Sequence, residues 1–155
     1  PLPEAQLDRF TLRIAIGYPP LPDEARMLTE QTSDPPLESL RPVATAAEVR
    51  ELSQAATDVF VEESVNRYVV ALLRHTRGDA RVYLGASPRA GIALLRVAKA
   101  RALAEGRGFV SPDDVKAAAE PVLAHRLIVA PEARAAGVNG ERLVREALEH
   151  TPVPV

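Results

Sequence analysis

Ser87-Pro88-Arg89 places a cation inside the first turn of a helix. Ser87 suits the cap, because its hydroxyl can accept from an orphan amide of that turn. Pro88 suits the first helical position, where no amide hydrogen is needed. A helix start already carries partial positive charge and favours acids. Arg89 is therefore misplaced unless an anion meets it, and a phosphate is the anion that a helix start accepts. The alternative is a solvated surface arginine. A second start, Ser111-Pro112-Asp113-Asp114, obeys the dipole with two acids. That contrast singles Arg89 out.

Other chemistry is scarce. No glycine is followed by lysine, so the P-loop pattern is absent. No apolar run ends in the paired acids of a Mg²⁺-binding strand. Phosphoryl transfer needs cradled phosphates, Mg²⁺ and a positioned water; this chain alone is expected to be inactive toward ATP. There is no cysteine nucleophile and no G-x-S-x-G serine. His75, His125 and His150 share no ligand spacing, so no metal site is expected. Glu62-Glu63 and Asp113-Asp114 sit where helix starts call for acids. Arg96, Lys99 and Arg101 read as solvated helix charges.

Gly85-Ala86-Ser87-Pro88-Arg89-Ala90 resembles the sensor-2 segment of the MoxR family of AAA+ ATPases. Pro3-Glu4-Ala5-Gln6-Leu7-Asp8-Arg9-Phe10 resembles the segment that ends that family's ATPase core. Phe109 to Lys116 and Leu123-Ala124-His125-Arg126-Leu127 resemble its lid. These motifs run in family order from about residue 1 to about residue 130. The resemblance implies that Arg89 approaches the γ-phosphate of ATP from the lid. It implies that Arg9 is an arginine finger reaching a neighbouring subunit's nucleotide; the alternative for Arg9 is an ion pair with Asp8 or Glu4, or a free surface charge. Tyr18 and Pro19 would border the adenine at the hinge. The parent would bind ATP and Mg²⁺ and act as a homo-oligomeric ring, a hexamer, that remodels or matures protein clients. The fragment itself would bind no cofactor. Its partner would be the rest of its own AAA+ core. The runner-up is a helical adaptor domain without any nucleotide role, which would bind a partner helix in an apolar groove.

The bulk properties agree with a folded domain. The chain has 155 residues, of which 46% are hydrophobic, enough for a core. Nineteen basic against twenty-one acidic residues give a net charge of -2, which disfavours a nucleic-acid surface. The absence of cysteine and of any membrane-length apolar run points to the cytoplasm. The opening Pro1 suggests a fragment.

The elements that must position Arg9 and Arg89 follow from periodicity. Phe10, Leu12, Ile14 and Ile16 alternate, as in a strand; by the resemblance it is the last strand of the ATPase sheet, here orphaned. Gly17 to Pro22 breaks the chain. The expected domains are a core remnant at 1–20, a helical lid at 21–150 and a loose tail at 151–155. The expected fold is all-α, a helical bundle preceded by a short β-strand stub.

Helices are expected at 23–31, after the Thr45–Glu48 capping box, at 62–77, at 88–105, from Pro112, and at 141–150 capped by Asn139. The helix from Pro88 should be central, since its apolar residues point around most of its circumference. Arg81 to Leu84 should be extended, beside Phe109-Val110. Pro121 should kink or end its helix, and residues 130–140 should form a loop.

Overall fold

The computed structural model describes residues 4–30 and 36–154; Pro1–Pro3, residues 31–35 (the last residue of the helix expected at 23–31 and the start of the loop expected after it) and Val155 lie outside them. Two compact units organise the chain, residues 1–13 with 52–155, and residues 14–51.

The smaller unit holds α2 (Leu21–Glu30), a 3-10 turn at Pro36–Ser39 and the start of α3 (Ala46–Asp58). Its first helix begins at Leu21 rather than Asp23, since a proline at Pro22 is tolerated in a first turn. The Thr45–Glu48 capping box forms: the Glu48 carboxylate accepts from the Thr45 amide at 2.6 Å, and the Thr45 hydroxyl accepts from the Glu48 amide at 3.2 Å. None of its described residues is buried.

The larger unit is helical around one core. After α1 (Glu4–Leu7), the chain runs without strand pairing through residues 12–16. The alternating Phe10–Ile16 pattern meets no partner strand among the described residues, and an unpaired strand does not hold. The C-terminal half of α3 leads to α4 (Glu63–Gly78), whose stripe Val65, Tyr68, Val69, Leu72 and Leu73 is buried as the periodicity predicts. Helix α5 (Pro88–Ala104) packs on α4 and on α6 (Pro112–Leu123). It is not surrounded: Ile92 is exposed, and its buried face is made by Leu94 among small residues, Ala90, Gly91, Ala93, Ala98 and Ala102. Close approach through small residues replaces burial on all sides.

Strand β1 (Val82–Leu84) pairs antiparallel with β2 (Ile128–Val129), not with Phe109-Val110. Phe109 instead bridges Phe60: the Phe60 amide donates to Gly108 O at 2.9 Å and the Val110 amide to Phe60 O at 2.9 Å. The expected loop at 130–140 contains a short helix, α7 (Pro131–Ala135), begun by a proline in its first turn. Helix α8 (Gly140–His150) is capped by Asn139, whose side chain accepts from the Arg142 amide at 2.9 Å. No helix among the described residues is long and apolar enough to cross a membrane.

Candidate functional site

The site is built on the turn between β1 and α5. The end of α4 fixes that turn from two sides. The Thr76 hydroxyl accepts from the Ala86 amide at 3.1 Å, and Arg77 Nε donates to Ala86 O at 2.7 Å. Ala86 is fully buried, so both its backbone groups need these partners. Gly85 is required by approach: a Cβ there would lie 2.8 Å from Arg77 Cα.

Ser87 caps α5 as expected, accepting from the Ala90 amide at 3.2 Å. Its hydroxyl also donates to Asp8, 3.3 Å from both carboxylate oxygens. Arg89 follows, exposed in the first turn of α5, and no carboxylate among the described residues pairs with it. The matching start at Ser111 shows what balance looks like. There Asp114 accepts from the Ser111 amide and hydroxyl, both at 2.8 Å, and completes a capping box.

Arg9 lies in the turn after α1, exposed, with its amide bonded to Gln6 O at 3.1 Å. Asp8 does not pair with it. Asp8 binds Arg126 instead, Nε to Oδ1 at 3.0 Å. Arg126 is only 7% exposed. Its guanidinium also donates to Thr11 O at 3.0 Å, to Asp8 O at 3.3 Å, and to Phe10 O and Val122 O. Burial holds its pKa below the ordinary arginine value; Asp8 opposes that, and the like charge of Arg89 adds to it. His125 Nε2 lies 3.2 Å from Phe10 O, and burial chiefly lowers its pKa.

Asp8, Ser87, His125 and Arg126 line a cleft of about 760 Å³ together with the strand β1 backbone. Sequence reasoning passed over Arg126. The signal was there: an arginine between Leu123-Ala124 and Leu127-Ile128 sits in an apolar run, and such a guanidinium is buried only if partnered.

Tyr18 and Pro19 belong to the smaller unit, and Tyr18 is 96% exposed. Among the described residues no three His, Cys, Asp or Glu side chains gather to hold a metal. Folding does stack His75 on His150, ring centroids 5.9 Å apart, although they are distant in sequence. For a nucleotide the fit is partial: Arg89 at a positive helix start, without an acid partner, suits a phosphate, while the described residues hold no such cluster to supply a Mg²⁺ cage.

The AAA lid domain family matches residues 74–147, the segment from the end of α4 to α8. Over all 155 residues the chain is 39% identical to the uncharacterized protein YeaC of Bacillus subtilis (strain 168), covering 48% of that protein. Over 99% of its length it is 32% identical to the chaperone MoxR1 of Mycobacterium tuberculosis, covering 43% of it. A crystal structure assigned as an ATPase, from Cytophaga hutchinsonii ATCC 33406, superposes over the whole chain with a TM-score of 0.91 at 30% identity, half of that protein being covered. The chain thus spans about half the length of the curated relatives it matches. Residues 74–147 form an AAA lid domain, on a chain that is a MoxR-type relative of the AAA+ ATPases along its whole length.

Proposed function

We propose that this chain is the nucleotide-sensing lid of a MoxR-type AAA+ ATPase, joined in the working protein to a P-loop core that binds ATP and Mg²⁺. Arg89 acts as the sensor-2 cation, drawing the lid toward the γ-phosphate and stabilising charge on it. Arg9 acts in trans as an arginine finger on the neighbouring subunit of a homo-oligomeric, hexameric ring. Residues 1–20 then close the core, residues 21–150 serve as lid, and 151–155 trail it. Tyr18 and Pro19 border the adenine. The ring works in the cytoplasm and couples ATP turnover to remodelling or maturation of protein clients; without its core the chain is inactive.

The observation that supports this reading best is Arg89 itself. A guanidinium with no acid partner among the described residues stands in the first turn of α5, and its charge adds unfavourably to that of Arg126. A cation at a positive helix end is unfavourable alone, and a triphosphate relieves both the Arg89 charge and the helix dipole at once. The test is Arg89→Ala in the core-containing protein. Turnover should fall at least about tenfold, within the range that charge-stabilising groups contribute, and ATP affinity should weaken. Unchanged turnover and affinity would refute the sensor role.

A further inference from the structure

We propose that Asp8 and Arg126 are positioning residues that fix the turn carrying Arg9 onto the start of the helix carrying Arg89. The proposal rests on the reading of those two cations given above.

The geometry is specific. Arg126, buried in the 3-10 turn Ala124–Arg126 that follows α6, holds the backbone of residues 8–11 through Asp8 O, Phe10 O and Thr11 O, and holds the Asp8 carboxylate through Nε. The same carboxylate receives the Ser87 hydroxyl, 3.3 Å from both its oxygens, and that hydroxyl caps α5. Asp8 is therefore bonded to the cap of α5 while its neighbour Arg9 stays exposed. Likewise Ser87 is two residues from exposed Arg89. Neither exposed cation can shift far unless the Asp8 junction shifts with it. A buried guanidinium with several carbonyl acceptors is rigid, because opening any contact strands a polar group. The junction thus holds the turn that presents Arg9 to the next subunit in place against the start of α5, whether or not Arg89 is present.

The test uses the core-containing protein assembled as rings. Asp8→Asn should lower turnover at saturating ATP about tenfold, with nucleotide affinity within about twofold of wild type, the split expected when ground-state binding is spared. Arg126→Gln should do the same, and Arg126→Lys should recover part of the rate. If Arg126→Gln does not fold, half-exposed Asp8 still decides the matter.

Mixed rings supply a readout that a purely structural role would not move. Asp8→Asn subunits mixed with Arg89→Ala subunits should regain activity, because each Arg89→Ala subunit offers a well-placed Arg9 to a neighbour whose Arg89 is intact. Mixing Asp8→Asn with Arg9→Ala should regain none. Recovery in neither mixture, or wild-type turnover in Asp8→Asn, overturns the proposal. If Arg9→Ala and Arg89→Ala themselves leave turnover unchanged, it is the functional reading that fails instead.

Discussion

The Ser87 hydroxyl lies 3.3 Å from both carboxylate oxygens of Asp8 while accepting the Ala90 amide at 3.2 Å, so one oxygen caps α5 and bonds a residue 79 positions away. Losing it removes both contacts. Ser87→Ala should destabilise the chain by about 1–2 kcal/mol, a cap plus a charge-assisted hydrogen bond. Asp and Asn are ordinarily equal caps. Here Ser87→Asp would set a second carboxylate against Asp8, so urea denaturation at neutral pH should find it less stable than Ser87→Asn. Equal stability of the two would contradict this geometry.

Arg89 makes the opposite prediction for stability. Its charge opposes the dipole of α5 and adds to that of Arg126. Arg89→Ala should leave the melting temperature of the isolated chain unchanged or slightly raised, by a few tenths of a kcal/mol. A clear loss of stability would mean that Arg89 has a structural partner after all.

Two glycines separate tight packing from tolerant packing. A Cβ at Gly140 would overlap the Ala124 carbonyl oxygen and its backbone, which cannot rotate away. Gly140→Ala should cost about 1–3 kcal/mol, the usual range for overpacking. At Gly91 the obstacle is Leu73 Cδ1 at 2.8 Å, the movable end of a side chain. Alanine also gains about 1 kcal/mol over glycine inside a helix. Gly91→Ala should therefore stay within about 1 kcal/mol of wild type in a denaturant titration.

Acid should unmask Asp114. Arg107 grips its carboxylate with two bonds of 2.7 Å, and these, followed by the Ser111 amide and hydroxyl, pull its pKa from 3.8 down to about 2 against the effect of burial. A folded pKa below the unfolded one means stability that is fully present above about pH 4 and lost as pH falls toward 2. The amount at stake is roughly 2 kcal/mol, by linkage. The gap between wild type and Asp114→Asn should shrink steadily from pH 5 to pH 2. A gap that stays constant with pH would place the effect elsewhere.

What could be read from the sequence was mostly local. Caps at Ser87, Ser111, Thr45 and Asn139 form as their spacing predicts, because a cap needs only its own first turn. The stripe of α4 and the inward residues of α6 follow from period alone. Partnership was less legible. The strand at Val82 pairs with Ile128-Val129, 46 residues downstream, and nothing in a three-residue strand specifies that choice over Phe109-Val110. Helix α5 reads as apolar all round in the sequence, yet Ile92 is exposed, and Leu94 with alanines and Gly91 forms its fully buried face while Leu95, Val97 and Leu103 are only partly buried against the core. In the site, Arg89 stood out by breaking a local rule. Arg126 did not, because its partners at Asp8 and Thr11 lie more than 110 residues upstream.

Helix α6 ends at Leu123 and a 3-10 turn follows, so its last carbonyls lie outside the regular ladder. The Arg13 amide takes Pro121 O at 2.8 Å, and Arg126 takes Val122 O. Arg13 thus helps to finish a helix that begins about a hundred positions later. An excised lid that starts after residue 20 would strip Arg126 of every acceptor except Val122 O. A buried charge left so exposed to its own desolvation is worth about 3–5 kcal/mol of lost stability. Such a truncation should be poorly soluble, and adding a synthetic peptide of residues 4–16 should restore its fold, making those residues a removable plug rather than a tail.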